Sequence, residues 1–360
     1  MTARNTGSDR LLSRLKARAL GSGTLWILLA LAALLAFFTI LAPSYFASAY
    51  NIRSLFTDAS ILLVLGVGAT FVIITTGIDL SVGSVLVFSG VMAAQLMTQL
   101  GGAEAGVGAV LLGFLVSIAS GCLWGVLNGV LVAYAGIPSL IVTLGTFGAA
   151  LGLARVITGG VDERNVPRAL TDTIGVGSLG GVPWLVIIAL VVTIVGALVL
   201  SLTRFGRYTK AVGSNAEAAR RVGVAIRPHL VKVYALAGAL AGLGGFLSLA
   251  RFSTTTIAGH TTDNMTVVSA VVLGGTSLFG GVGSVIGTAI GVFIPTVLQN
   301  GFVILGVEPF WQEVAVGVVL ILAVSFDQYR RRYRDRSHVT NDEAPETDQP
   351  AENPERTTHA

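Results

Sequence analysis

Cysteine is almost absent, since Cys122 is the only one in 360 residues. It excludes a disulfide framework and any cysteine-based metal site. Charge is scarce, at 12% of residues. Lysine occurs only at positions 16, 210 and 232, never after a glycine. A phosphate-binding loop ends in Gly-Lys-Ser/Thr, so this chain lacks that device for hydrolysing ATP. The four histidines, His229, His260, His338 and His359, fall in expected loops or the tail. No H-E-x-x-H pattern and no Cys/His cluster accompany them, which speaks against a membrane-embedded metalloenzyme. No cofactor site is expected. No nucleic-acid-binding motif occurs, and the basic residues gather beside apolar runs, where they set membrane orientation.

What the sequence has is apolar length. Hydrophobic residues make up 53% of it and glycine contributes 45 positions, well above its usual share of about 7%. A hydrocarbon core roughly 30 Å thick is crossed by about 20 apolar residues. Such runs lie near Thr24 to Leu41, Ser60 to Thr75, Val82 to Leu100, Gly106 to Tyr134 and Pro138 to Ile157. Others lie near Trp184 to Leu202, Leu230 to Ala250, Met265 to Leu278, Gly283 to Gly301 and Phe310 to Phe326. The fold class is therefore all-α: a polytopic integral membrane protein of about ten helices. Two of them, Ser60 to Thr75 and Met265 to Leu278, are short enough to be broken or re-entrant. Plentiful glycine and alanine suit helices that pack backbone to backbone, because lipid supplies no hydrophobic drive between spans.

The start of the chain resembles a signal peptide, with five basic residues before Leu20 and an A-x-A-like Ala47-Ser48-Ala49. The apolar run exceeds the usual core of about 7–15 residues, so an uncleaved first span is expected. Basic residues form three clusters: residues 1–23, the segment 204–230, and Arg330 to Arg336. If all three face the cytoplasm, even numbers of spans must separate them, and the apolar runs satisfy this. The same parity places Thr158 to Pro183 and Arg251 to Asn264 on the opposite side. The chain thus reads as a basic terminus (1–23), a membrane domain (24–326) with a cytoplasmic loop (204–230), and a basic then acidic tail (327–360), expected to be disordered. A brief repeat, Ser81 to Val85 and Gly281 to Val285, sits between short paired runs; such pairs occur near transporter binding sites.

Two segments carry chemistry. In Gly77-Ile78-Asp79-Leu80-Ser81-Val82-Gly83-Ser84, Asp79 lies between apolar runs with no basic neighbour. A carboxylate there must meet water, accept hydrogen bonds or be protonated. It either caps a helix at a turn or lines a translocation path, and Ser81 is placed to cap the next helix. Asn128 and Thr143 are weaker path candidates, because polar side chains in spans are as often interhelical ties. The second segment is cytoplasmic. Ser214 and Glu217 have capping-box spacing and Gly223 suits a helix stop, giving about two turns, too few to be stable alone. Small Ala218 and Ala219 would let a partner approach closely.

The runs Gly77 to Ser84, Gly136 to Thr146 and Val272 to Ser277 resemble, in order and spacing, the ribose/xylose-type branch of ABC importer permeases, within the branched-chain/monosaccharide permease superfamily. The likeness spans about Pro43 to Arg330. Glu217-Ala218-Ala219 followed by Gly223 is similar to the coupling loop of such importers. The resemblance implies a bacterial cytoplasmic-membrane permease with both termini inside. It also implies a second permease copy or paralogue, an ATPase subunit with two nucleotide-binding domains, and an extracytoplasmic binding protein that delivers a sugar. Two departures stand out. The family carries acidic residues just before its Gly-Gly-Thr-Ser motif, where this chain has Asn264, Met265 and Thr266, and Ser214 replaces the commoner glycine. An ion-driven carrier using Asp79 is the main rival, but it has no need of a docking helix.

Overall fold

A computed structural model describes residues 23–308 and positions 310–312, 314, 315, 317, 318, 321 and 325. The expectations for residues 1–22, for most of the Phe310 to Phe326 run and for the tail lie outside the described residues.

The apolar runs become helices: α1 (Gly23–Leu41), α2 (Ala49–Ile74), α3 (Val82–Gln99), α4 (Val107–Ala133), α5 (Ser139–Thr158) and α6 (Trp184–Leu202). Two polar helices follow, α7 (Arg204–Ser214) and α8 (Ala216–Arg221). The chain continues as α9 (Ile226–Phe252), α10 (Asp263–Leu273) and α11 (Val285–Ile304). Seven of these, α2 to α6, α9 and α11, are long and apolar enough to cross a membrane. The protein is a multi-pass, all-α membrane protein. Its only strands among the described residues are the two-residue pair Ser178–Leu179 and Val182–Pro183.

Helix boundaries follow local chemistry. Ser48, Thr203 and Ser284 accept hydrogen bonds from the backbone N–H three residues on, opening α2, α7 and α11, as N-caps do. Gly159 closes α5 at φ 65°, a left-handed geometry that glycine adopts freely. One expected break is absent: Ser60 to Thr75 is the second half of α2, a continuous 26-residue helix. The reason is that Arg53 and Asp58 depress hydropathy without breaking the helix. The other expectation holds better, because α10 has only 11 residues and is too short to span alone. The repeat is not in register. Val82 is the first residue of α3, whereas Val285, the last of the matching run, opens α11.

Helix α9 is the centre of the bundle, packed on α2, α3 and α4. Its contact with α4 is backbone on backbone: a Cβ on Gly121 would come within 2.7 Å of the Gly242 nitrogen, and a Cβ on Gly238 within 2.8 Å of the Gly125 Cα. Gly90 and Gly245 serve the α3 contact in the same way. At the opposite end from the 159–183 segment, three pieces meet. The Gly281 N–H donates to the Ile74 carbonyl at 2.9 Å, and a Cβ on Gly213 would strike that carbonyl and approach the Gly281 nitrogen to 2.6 Å. The end of α2, the 274–284 segment and the end of α7 are thus fastened together.

The 158–183 and 251–264 segments, expected on one side of the membrane, touch each other. The Asp162 carboxylate accepts from the Ile257 N–H at 2.9 Å and the Thr255 hydroxyl at 3.1 Å. The chain then turns back into the bundle, burying His260.

Candidate functional site

Between α2 and α3 the backbone leaves helical geometry for seven residues. Thr76 adopts φ 66°, rare for a residue with a Cβ. Gly77 has no room for a side chain, since a Cβ would lie 2.5 Å from the Tyr234 hydroxyl and 2.9 Å from Val72 Cγ1. Buried backbone outside a helix must find partners elsewhere, and here polar side chains supply them. Ser139 Oγ accepts from the Ile78 N–H at 3.1 Å, and Thr143 donates to the Ile78 carbonyl at 3.1 Å. Asn264 Nδ2 donates to the Leu80 carbonyl at 3.1 Å. Asp79 Oδ1 accepts from the Ser81 N–H at 2.9 Å and the Ser81 hydroxyl at 2.6 Å, while Asn128 Nδ2 donates to Ser81 Oγ at 2.9 Å.

Asp79, Ser81, Asn128 and Thr143 therefore belong to one network, although they are spread from residue 79 to residue 143. They brace an irregular turn. Asp79 is 4% exposed, and its carboxylate holds Ser81. Asn128 ties α4 to the turn and Thr143 ties α5 to it. Ser81 precedes α3 without making a side-chain cap of its own.

Near the start of α2, that helix, α10, α11 and the end of α9 line an open cavity of about 540 Å³. Its polar wall was not anticipated. Arg251 reaches across from α9, its Nε and Nη2 donating to Asp58 Oδ1 at 3.0 and 2.9 Å and its Nη2 to Ser54 Oγ at 3.2 Å. Asn51 and Asn300 bond each other at 2.9 Å in both directions. His260 Nδ1 lies 2.7 Å from Asp263 Oδ2, and its Nε2 lies 2.8 Å from Ser248 Oγ. The 260–264 segment, which lines the cavity through His260 and Asp263, also reaches the start of α3 and the turn. A Cβ on Gly83 would strike the His260 carbonyl, and Asn264 holds Leu80.

Hydropathy hid these residues. Starting the second span at Ser60 left Asp58 outside it, and nothing local in the sequence ties Asp58 to Arg251, 193 positions away. His229 also departs from expectation. It lies within α9, buried, with Nε2 3.0 Å from Thr209 Oγ1.

The 204–223 segment needs two corrections. Ser214 is not a cap but the last residue of α7; Asn215 opens α8, its Oδ1 accepting from the Ala218 N–H at 2.9 Å. A cap one residue later moves Glu217 out of capping-box position, and it pairs instead with Arg220 and Arg221 at 3.3 and 3.6 Å. Ala219 faces inward at 3% exposure, packed with Val212 and Val224. Ala218, Arg220, Arg221 and Val222 face outward. Gly223 ends the helix as expected, at φ 88° with its N–H on the Arg220 carbonyl at 3.0 Å. Ala219→Glu should consequently damage the chain itself, by forcing a carboxylate into a small apolar contact. The expected result is a lower yield and melting temperature for the isolated protein; an unchanged melting temperature would show that the Val212 contact is dispensable.

A family model described as a branched-chain amino acid transport system permease component matches residues 51–324. The D-allose transport system permease protein of Escherichia coli (strain K12) is 35% identical over 309 residues, covering 85% of this chain and 91% of that protein. The ribose import permease protein of the same strain is 36% identical over 307 residues, covering 84% and 93%. The fructose import permease protein of Rhizobium meliloti is 32% identical over 307 residues, covering 83% of each. No solved structure matches.

Proposed function

Because this chain belongs to the family of branched-chain amino acid transport permease components, we propose that it is the membrane subunit of an ATP-driven importer for a monosaccharide. The sugar relatives support the substrate class. The observation that carries the coupling mechanism is α8, a single short helix held rigid from within and bare outside. Buried Ala219 anchors it, Asn215 caps it and Gly223 ends it. Ala218 stands on its exposed face.

In this reading the hydrolytic motor is a separate ATPase subunit with two nucleotide-binding domains, since this chain lacks the lysine such a loop requires. That subunit seats on α8 from the cytoplasm, so the basic 204–232 segment and both termini face inward. A second permease copy and an extracytoplasmic sugar-binding protein complete the importer in a bacterial cytoplasmic membrane. ATP binding and hydrolysis shift the population of permease conformations by acting differently on each.

Docking is tested at Ala218, whose side chain leaves its own bundle undisturbed. Ala218→Trp places a bulky ring on the outer face. Membrane insertion and melting temperature should match the parent, while co-purification of the ATPase and ATP-dependent uptake should be lost. Full uptake with the ATPase still bound would remove α8 from the coupling surface. Uptake by vesicles that hold this chain without any ATPase would overturn the importer reading altogether.

A further inference from the structure

Asp79 and Ser81 are buried in the turn, whereas a solute needs open space beside polar groups. The cavity of about 540 Å³ has the size of a small-ligand site. Its chemistry is specific. Aldoses and ketoses present vicinal hydroxyls along one edge and apolar C–H faces, and they are read by planar donors and acceptors beside an aromatic ring. Here Asp58 and Arg251 lie side by side, with Asp263, Asn300 and Gln299 on the facing wall, and the rings of Tyr50 and Phe252 are 84% and 46% exposed.

The charges decide further. Arg251 is committed to Asp58 through two donors, and His260 is committed to Asp263 and Ser248. Each cationic or potentially cationic group on the wall is matched by a carboxylate, so an incoming anion finds no uncompensated positive charge. A phosphate or carboxylate entering would face Asp58 and Asp263. Neutral hydroxyls can instead donate to the carboxylates and accept from Arg251 without displacing either pair.

We propose that the cavity between α2, α10, α11 and the end of α9 receives the transported solute, and that its paired charges select a neutral polyhydroxylated molecule over an anionic one. This assignment rests on the permease reading, yet it is tested without turnover. Val303 stands on the cavity wall, 65% exposed. Replacing Cys122 by alanine removes the only native thiol, and Val303→Cys then places one reporter at the wall. In native membranes containing the full chain, a charged, water-soluble thiol reagent should modify it. Saturating D-ribose, D-allose or D-fructose, each tried separately, should slow modification at least about threefold through occupancy of the site. Ribose 5-phosphate at the same concentration should not.

A reporter that stays unmodified would mean that lipid fills the cavity and would overturn the proposal. Modification at one rate with and without each neutral sugar, in cells whose ATP-dependent uptake of that sugar persists, would overturn the site while leaving the importer standing. Equal protection by ribose 5-phosphate would overturn the selection by charge. Loss of the ATP requirement, with protection intact, would instead remove the ATPase coupling and keep the site.

Discussion

Gly121→Val is expected to leave almost no folded protein recoverable from the membrane. The valine Cβ would lie 2.7 Å from the Gly242 nitrogen and 2.8 Å from its Cα, with the Gly238 carbonyl closer still. Overpacking a core against side chains costs about 1–3 kcal/mol because rotamers give way. Here the obstacle is the backbone of α9, the helix that also carries the α2 and α3 contacts, and it cannot move without loosening both. The readout is the monodisperse fraction after detergent extraction, together with the melting temperature. Gly145→Val is the control, because nothing lies within 4 Å of a Cβ built there. The control should behave as the parent does. A Gly121→Val protein with the parent's melting temperature would contradict the close α4–α9 approach.

The next largest effect is expected at Asp79. Asp79→Ala removes the acceptor for both the Ser81 N–H and the Ser81 hydroxyl, leaving two buried donors without it. Each such loss costs about 1–3 kcal/mol, so the turn should loosen, with a marked fall in melting temperature and little remaining uptake. Asp79→Asn keeps an oxygen at the same position and should retain most of the stability. Comparing the two variants separates shape from charge. If Asp79→Ala melts with the parent, the carboxylate does not brace the turn.

Much of this architecture was legible because lipid imposes a simple rule: apolar runs of sufficient length become helices. Eight of the runs recovered their helices within a few residues. Asp79, Ser81, Asn128 and Thr143 were singled out one at a time as polar groups in apolar surroundings, and all four are buried. Their mutual bonding was not visible, since Ser81 and Asn128 are joined only by how α3 and α4 pack. The Asp58–Arg251 pair was hidden for the same reason. Ala219 was misjudged because two adjacent alanines look alike in sequence, yet on a helix of 3.6 residues per turn they point about 100° apart. Ser214 was misjudged because Asn215 is an equally good cap one position later.

The joint where Ile74, Gly213 and Gly281 meet has a mechanical consequence. Helix α8 follows α7 after a single residue, and α7 ends on the carbonyl that closes α2. Two residues beyond that carbonyl the chain is already in the strained stretch that leads to Asp79. With glycine at both faces the backbones meet directly, and the Ser214 and Thr76 side chains pack against the same joint. A displacement applied to α8 would therefore pass through the end of α7 to both of its partners, the end of α2 on one arm and the 274–284 segment on the other.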